Sequence, residues 1–302
     1  MKKNLLPIIT LLVLAFAGCK KDSGQAAPTS EVKQQVNFNV GDLEVSVTPI
    51  NKGTKGTIST DSLRKYARYL YFRVYNSTGA LVSFQDQTST SATFGKVNLQ
   101  LPAGSYTAVF AASASSLYMS NDYSTSLSSV YFYGSFSNNL SDTFFKRVAF
   151  TVTNQTVAQN VELNRIVSGI NLTLTDPIPT NIAKIQILVA SDPYGYYVGS
   201  DARIGNVTRD ISFSLTAADK GVANKTFSNF VMKAGTPSNI TIRAFDATNT
   251  LIIEKAVQNV PFYANKQTTI SGKLFGTTSS NSSSFSVLVN EKWDTPPPVV
   301  TF

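Results

Sequence analysis

The sequence predicts an all-β protein with two tandem β-sandwich domains, and three observations support this fold class. Apolar and polar residues alternate over many short stretches, which is the pattern of half-buried strands. Gly, Asn, Asp and Pro end most of these stretches, as they do in sandwiches. The 3.6-residue period of an amphipathic helix is nearly absent. With 42% hydrophobic residues, the 302-residue chain has enough apolar material for two cores.

The first eighteen residues predict a lipoprotein signal peptide. The letters "MKK" begin the chain, and an apolar run follows over residues 5–17. That run is shorter than the ~20 residues that a membrane-spanning helix needs. Ala17 and Gly18 lead directly into Cys19, the only cysteine. This ending resembles the lipobox of bacterial lipoproteins, whose cysteine becomes the lipidated first residue. The resemblance implies a palmitate-bearing anchor at Cys19, and an ordinary signal peptide near a buried cysteine is the alternative.

Residues 19–35 are predicted to form a flexible tether. Lys20, Lys21 and Asp22 resemble the surface-export signal of Bacteroidetes lipoproteins, which usually carries two acidic residues. A plain solvated linker is the alternative explanation for this polar stretch. Two or more acyl chains hold a protein stably to a membrane. We therefore expect a lipid-anchored protein of the outer membrane that is exposed on the cell surface.

Composition argues against an enzyme and against nucleic-acid binding. The chain has no histidine, the commonest general base and metal ligand, and a lipidated Cys19 cannot act as a thiol nucleophile. The formal charge of +8 falls to +6 when Lys2 and Lys3 leave with the signal peptide, and the basic residues are scattered. The stretch "DPYGYYVGSD" could hold a cation between Asp192 and Asp201, but Asp-Pro and Tyr-Gly are also turn chemistry, and ordinary surface acids are the favoured interpretation. We predict no catalytic residue, no metal and no cofactor.

The first domain is predicted to cover residues 36–164 and to contain roughly seven strands. Alternation predicts strands at residues 36–40, 43–47, 70–74, 97–101, 106–112, 145–152 and 157–163. The letters "NSTG" at 76–79 predict a hairpin turn to a return strand that begins at Leu81, and "LPAG" at 101–104 predicts another turn. A short helical turn is expected at residues 61–67.

The second domain is predicted to cover residues 165–302 and to repeat the same number of strands. Alternation predicts them at residues 170–174, 185–189, 211–215, 240–244, 251–257, 268–272 and 285–289. The letters "DATN" at 246–249 predict a hairpin turn between two of these strands. A short helical turn is expected at residues 216–220. The boundary between the two domains is placed near Asn164.

The long segment 113–142 is a candidate ligand or partner loop. Loops of this length are usually functional or disordered. This one carries five aromatic residues of interest: Tyr118, Tyr123, Tyr131, Tyr133 and Phe136. If the tyrosines stack on sugars, the protein is a glycan-binding surface lipoprotein of a nutrient-uptake system. The alternation of Tyr131 and Tyr133 favours the other interpretation, an extra hairpin that buries its rings.

Two pairs of motifs, one in each half, carry a family resemblance. The first half contains "YLYFRVYNSTGALV" and "LPAGSYTAVFAAS", and the second contains "NVPFYANKQTTISGKLF" and "FSVLVNEKWD". Strand and turn chemistry explains each motif separately, but their order behind a lipobox resembles FimB-like fimbrial lipoproteins. These are anchor and accessory proteins of Bacteroidetes type V fimbriae, related to fimbrillins. The resemblance implies two transthyretin-like sandwiches.

The resemblance also implies a non-enzymatic function. Such proteins are outer-membrane lipoproteins that act as fimbrial anchor, accessory or tip subunits and join other subunits by β-strand addition. Three prolines at residues 296–298 cannot join a central ladder, so we do not expect a long C-terminal donor strand. The chain could instead accept a strand or pair through the edge at 285–289. Arg64 or Arg68 could be a processing site, but ordinary surface charges are the favoured interpretation.

Overall fold

The computed structural model describes residues 32–44, 60–120, 126–134, 140–276 and 285–290. Most of these residues are in strands and very few are in helices, which confirms the all-β class. The predicted signal peptide, Cys19, most of the tether and the prolines at 296–298 lie outside the described residues, as do residues 45–47. Within the described ranges, no helix is both long and apolar enough to span a membrane.

The first half contains nine described strands and the predicted helical turn. In chain order they are β1 (Gln34–Glu44), α1 (Thr60–Tyr66), β2 (Tyr69–Asn76), β3 (Leu81–Thr88), β4 (Lys96–Leu101), β5 (Gly104–Ser113), β6 (Tyr118–Met119), β7 (Tyr131–Tyr133), β8 (Thr143–Val152) and β9 (Val157–Arg165). A short 3-10 helix, Leu127–Ser129, precedes β7. Arg64 of α1 donates hydrogen bonds to the carbonyls of Ser89 and Ser91, so its side chain is held by the fold.

The second half contains ten described strands. They are β10 (Ser168–Leu174), β11 (Ile182–Asp192), β12 (Gly195–Tyr197), β13 (Ala202–Ile204), β14 (Val207–Ser214), β15 (Lys225–Val231), β16 (Ser238–Asp246), β17 (Leu251–Val260), β18 (Gln267–Gly272) and β19 (Phe285–Asn290). The helical turn expected at 216–220 is a 3-10 helix, Ala217–Asp219. Three strands, β12, β13 and β15, were not predicted.

The two halves share one strand topology. In the first half, β1 pairs with β4 and β9, β2 pairs with β3 and β5, and β5 pairs with β8. In the second half, β10 pairs with β15 and β18, β11 pairs with β14 and β16, and β16 pairs with β17. The pair β1–β9 in the first half and the pair β10–β18 in the second are parallel. The other four pairs in each half are antiparallel. The chain therefore builds the same seven-stranded pattern twice.

Each half encloses its own apolar core between two layers of strands. In the second half the layers are β14-β11-β16-β17 and β15-β10-β18-β19. Ile170, Leu172 and Leu174 alternate into this core from β10, and Ile185 and Ile187 enter it from β11. In the first half the sheet is continuous, because β8 pairs with the end of β9 at one corner. The domain boundary predicted between residues 164 and 165 remains a prediction. By their contacts, residues Lys33–Phe302 form one compact unit.

The predicted turn at residues 76–79 is an Asx turn. The side-chain oxygen of Asn76 accepts hydrogen bonds from the Thr78 amide at 3.1 Å, the Thr78 hydroxyl at 2.7 Å and the Ala80 amide at 2.9 Å. Gly79 has a φ of +82°, a conformation that glycine adopts without steric cost. The side chain of Asn76 therefore satisfies the turn backbone while glycine allows the chain to reverse.

The predicted turn at residues 246–249 uses the same chemistry with a carboxylate. Asp246 accepts hydrogen bonds from the Thr248 amide at 2.9 Å, the Thr248 hydroxyl at 2.8 Å and the Thr250 amide at 2.9 Å. Asn249 takes the positive φ, +63°. The hydrogen bonds from Thr248 and Thr250 lower the pKa of Asp246. This turn is therefore sensitive to acid, whereas the Asn76 turn is not.

We expect Asp246→Asn to reduce the acid sensitivity of the protein. A carboxyl whose pKa is lowered by folding stabilises the folded state above its unfolded pKa of about 3.9, and this contribution is lost as the pH falls through the folded pKa. The amide accepts the same hydrogen bonds, as in the Asn76 turn, so the turn itself is kept. The measurement is the free energy of urea unfolding at pH 7 and pH 3. The assignment is contradicted if the variant loses as much free energy of unfolding between pH 7 and pH 3 as the unchanged chain does. Asn76→Asp is the reciprocal control.

Candidate functional site

Within the described residues, the predicted aromatic loop contains two strands, β6 and β7, and β7 pairs with a strand of the second half. Residues 131–133 form β7, which pairs on one side with β6 and on the other with β12. With β13 these strands make a separate four-stranded sheet in the order β13-β12-β7-β6. Tyr118, Tyr131 and Tyr133 belong to this sheet, while Tyr123 and Phe136 lie outside the described residues. The sheet is thus shared, with two strands from each half.

The inner face of this shared sheet forms a third apolar core, here called the joining core. Phe132 is fully buried in it, with ring centroids 5.6 Å from Tyr196 and 6.0 Å from Phe145. Tyr196 comes from the second half, and Phe145 belongs to β8 of the first. The other buried members are Tyr71, Tyr75, Val109, Ala111, Leu117, Met119, Val130, Leu140, Ile166, Val167, Val198, Phe230 and Met232. The joining core explains why β2 and β5 are apolar on both faces.

Burial in the joining core keeps its tyrosines protonated. Burial raises the pKa of Tyr75 to about 12 and also raises the pKa of Tyr71 and Tyr196. The Tyr71 hydroxyl accepts a hydrogen bond from the Leu117 amide at 2.9 Å. A buried phenol with such a partner avoids the cost of an unpaired polar group. These hydroxyls therefore contribute to folding, and they are not available as bases.

Glycines allow the two halves to approach closely in the shared sheet. A Cβ atom added at Gly195 would lie 2.8 Å from the carbonyl oxygen of Phe132. One added at Gly199 would lie 2.5 Å from the carbonyl oxygen of Leu127. Such distances are sterically forbidden, so any larger residue would push the strands apart. Gly195 and Gly199, both in "YGYYVG", are thus needed for close packing as well as for a turn.

The outer face of the shared sheet carries a row of tyrosines, here called the tyrosine surface: Tyr118, Tyr131, Tyr133 and Tyr197. The rings of Tyr118 and Tyr133 stack with centroids 4.6 Å apart and an interplanar angle of 26°. Tyr131 and Tyr133 lie 6.1 Å apart at 25°, and Tyr131 meets Tyr197 edge-on at 5.9 Å. Tyr118, on the edge strand, is 52% exposed. The tyrosine surface needs both halves, because Tyr197 comes from β12.

Partial burial raises the pKa of Tyr133, and the neighbouring phenols of Tyr118, Tyr131 and Tyr194 raise it further. Its hydroxyl therefore stays protonated at neutral pH. A protonated phenol both donates and accepts hydrogen bonds. Tyr133 consequently presents a neutral hydroxyl group next to aromatic carbon.

Two arginines hold the second-half strands of the shared sheet in place, and one of them, Arg147, joins the two halves. Arg147 of β8 donates to the carbonyls of Val198 and Gly199 and to the carboxylate of Asp201, the last at 2.8 Å. Arg203 donates to the carbonyls of Met232 at 2.6 Å and Ile166 at 2.8 Å. Burial lowers the pKa of Arg203 from its very high usual value. These contacts fix the turn between β12 and β13.

The two carboxylates at the ends of residues 192–201 are occupied by arginines. Asp192 is buried and pairs with Arg209, and it also accepts the Lys233 amide at 2.7 Å. Asp201 pairs with Arg147. No group of three or more acidic or cysteine side chains in the described part of the chain is placed to hold a metal. The arrangement supports turn chemistry for this stretch.

A buried ion pair lies where the two halves meet. The guanidinium of Arg165 donates to both carboxylate oxygens of Asp142, at 2.7 and 2.8 Å, and to the side-chain oxygen of Asn265 at 3.0 Å. The side chains of Arg165 and Asp142 are 1% and 5% exposed. Burial raises the pKa of Asp142, and Arg165 opposes that effect. Asn265 precedes β18, so the pair also ties the two halves together.

Sheet edges are the second candidate site. β19 lies on the edge of the second half, antiparallel to β18 from Gln267↔Asn290 to Gly272↔Phe285. β18 is the counterpart of β9 in the shared topology. Among the described strands, none pairs with β9 between Val157 and Leu163 on the side away from β1. In the described part of the first half, no strand therefore occupies the edge position that β19 fills in the second.

Sequence reasoning missed the second-half members of the shared sheet. Tyr196 and Tyr197 lie in a stretch that was interpreted as a turn or a cation site. The available signal was the "GYY" of β12, and three residues are too few for periodicity to resolve. The site prediction for the tyrosines of residues 113–142 is not tested by the fold, and it remains a prediction.

Comparison with solved structures finds the same fold in bacterial surface proteins. A candidate adhesin from Bacteroides thetaiotaomicron has a TM-score of 0.53 and 13% identity, covering 87% of this chain and 98% of that one. A candidate polysaccharide-binding protein from the same organism has a TM-score of 0.56 and 8% identity, covering 86% and 96%. The fimbrial anchor protein Mfa2 from Porphyromonas gingivalis has a TM-score of 0.50 and 13% identity, covering 87% and 99%. At these identities the likeness shows the fold.

Comparison of the sequence finds a family but no characterised relative. The model of a family of unknown function, DUF6562, matches residues 28–299. No curated protein matches the sequence. The family match spans both halves, so a single family model covers the residues of both sandwiches and of the shared sheet.

Proposed function

The chain belongs to the DUF6562 family, and we propose that this member is a non-enzymatic fimbrial subunit, an anchor or accessory protein of the bacterial outer-membrane surface. It joins other subunits by β-strand addition, with β9 as the strand that accepts. Lipid on Cys19 holds it to the outer membrane through the tether of residues 19–35. Three kinds of support follow: the open edge of β9, the example of β19, and the fold of known surface proteins.

The open edge of β9 is the observation that carries the proposal. Unpaired backbone N–H and C=O groups on an edge strand are a template for another strand. β9 alternates buried Val161 and Leu163 with exposed Asn160 and Glu162. An added strand would therefore extend both the ladder and the apolar face of the first sandwich.

β19 illustrates the kind of strand that such an edge accepts. Its six residues, "FSVLVN", pair with β18 along the full length of both strands. Phe285 packs against the core of the second half, while Leu288 is 68% exposed. Because β18 and β9 hold the same place in the shared topology, a strand with the alternation of β19 fits β9.

The fold comparisons support the same class of function. One similar structure is named a fimbrial anchor protein and another a candidate adhesin. The motif resemblance in the sequence independently implies FimB-like fimbrial lipoproteins. The arginine-paired carboxylates and the absence of histidine give no support to an enzyme.

Co-purification tests the proposal. The tagged full chain is extracted from cell membranes in mild detergent, and bound fimbrial subunits are identified by mass spectrometry. We expect them with the unchanged chain and expect their loss when exposed Ala158 and Asn160 of β9 are both replaced by lysine, because charged side chains on an edge strand oppose strand addition.

The matched control places two lysines on a different edge strand of the same sheet. Val82 and Phe84 of β3 are 42% and 50% exposed. We expect Val82→Lys with Phe84→Lys to retain the bound subunits. If the unchanged chain brings down no fimbrial subunit, the fimbrial function is wrong. If both double variants behave alike, the assignment of β9 as the acceptor is wrong.

A further inference from the structure

We propose that the tyrosine surface binds a neutral polysaccharide. The proposed site is the outer face of the shared sheet, which is a different surface from the β9 edge. The proposal therefore does not depend on strand addition. Four observations support it: the row of ordered rings, the exposure of Tyr118, the neutrality of the face, and the separation of this face from the joining core.

The face is uncharged at every paired position. Tyr118, Tyr133, Gly195 and Ile204 lie side by side across the four strands in one row. In the next row, Tyr131 pairs with Tyr197, and Tyr197 pairs with Ala202. Ser120 completes that row through hydrogen bonds with the Tyr131 backbone at 2.8 and 2.9 Å. An acidic polymer would find no compensating positive charge within these rows.

Neutral sugars match the chemistry of this face. A pyranose ring has an apolar C–H face and a rim of hydroxyl groups. A tyrosine offers an apolar ring with a hydroxyl that donates and accepts hydrogen bonds. The face therefore complements both parts of a sugar without requiring a charge.

The tyrosine rings are ordered before any ligand arrives. Tyr133 is stacked against Tyr118 and lies beside Tyr131, which meets Tyr197 edge-on. Side chains that are already held lose little conformational freedom on binding, which favours affinity. Tyr118 stands at the end of the row on the edge strand and is 52% exposed, so its ring is the principal contact for a sugar.

The outer tyrosines are not part of the joining core. Met119, Phe132 and Tyr196 alternate with them along the same strands and fill the joining core from the opposite face. The buried rings stabilise the sheet, since they lose contact with water. On the outer face Tyr131, Tyr133 and Tyr197 are half-buried, and the row ends at the exposed ring of Tyr118, where an aromatic side chain open to solvent is available to a ligand.

Affinity electrophoresis tests the proposal on the purified full chain with Cys19→Ser, which keeps it free of lipid. Gels contain laminarin, glycogen or yeast mannan as neutral probes, and polygalacturonate as the acidic one. We expect retardation by at least one neutral probe, whereas any retardation by polygalacturonate, which the net positive charge of the chain favours, should not depend on Tyr118. Tyr118→Ala is expected to weaken retardation by the neutral probe about tenfold, the factor that corresponds to ~1.4 kcal/mol.

Two variants separate ring stacking from other effects. Tyr118→Phe keeps the ring and is expected to bind within about threefold of the unchanged chain, since it loses one hydroxyl only. Tyr263, a 45% exposed tyrosine outside the tyrosine surface, supplies the matched control, Tyr263→Ala, which should bind normally. The proposal is overturned if no neutral probe retards the protein, if only polygalacturonate does, if Tyr263→Ala weakens binding as much as Tyr118→Ala, or if Tyr118→Phe loses binding as Tyr118→Ala does. A negative result here leaves the co-purification test of strand addition unaffected.

Discussion

Asp142→Ala is expected to lower the free energy of unfolding by about 3–5 kcal/mol, because it leaves the Arg165 guanidinium buried without its carboxylate. Both oxygens of Asp142 bind Arg165, whose side chain is 1% exposed. The ring of Phe144 lies 5.1 Å from the guanidinium and cannot replace a charge. Urea unfolding of the variant and the unchanged chain, followed by far-UV circular dichroism, measures the difference.

An exposed ion pair is the matched control for this prediction. Arg243 and Glu254 pair across β16 and β17 with side chains 35% and 44% exposed. Arg243→Ala is expected to cost only about 0–1 kcal/mol, because water solvates the partner that remains. The double change Asp142→Leu with Arg165→Met should be less destabilising than Asp142→Ala, since no buried charge is left. If Asp142→Ala costs no more than Arg243→Ala, the buried pair does not stabilise the junction.

Phe132→Ala is expected to cost about 3–5 kcal/mol and to loosen both halves of the protein. The ring is 0% exposed and contacts Phe145 from the first half and Tyr196 from the second. Its removal leaves a cavity in the joining core, where both halves contribute side chains. Hydrogen exchange should therefore show faster exchange in β2 and β5 as well as in β12 and β13.

Phe262→Ala serves as the control of equal size. Phe262 is 1% exposed and belongs to the core of the second half alone. This variant is expected to be destabilised to a similar degree, but faster exchange should be confined to the second half. The assignment of the joining core would be wrong if Phe132→Ala affected exchange in the first half only, or if it cost less than about 1 kcal/mol.

Local patterns predicted most of the strands. The alternation around Phe38, Ile170 and Ile242 identified β1, β10 and β16, because a strand with one buried face must alternate. The turns at 76–79 and 246–249 followed from Asn, Asp and Gly chemistry that acts within five residues. β15 was missed because its sequence, "KTFSNFV", does not alternate regularly. Two adjacent residues at its end, Phe230 and Val231, are both buried.

The candidate site could be predicted only in part. Tyr118, Tyr131 and Tyr133 were identified as a group because they lie close together in a long loop. Tyr197 was not, because it reaches the group through the pairing of β7 with β12, about sixty residues apart along the chain. No local pattern encodes a pairing between two three-residue strands. The open edge of β9 likewise became visible only when its pairing was compared with that of β18.

The sequence by itself determined the all-β class, most strands and both hairpin turns, because these depend on residues that are neighbours along the chain. It also contains a stretch before Cys19 that resembles a lipobox and motifs that resemble fimbrial lipoproteins, and what these resemblances imply about lipidation remains a prediction. The tertiary structure decided how the halves join, through the shared sheet, the joining core and the Arg165–Asp142 pair. These features combine segments that are distant in sequence, and only burial against each other makes their contacts favourable.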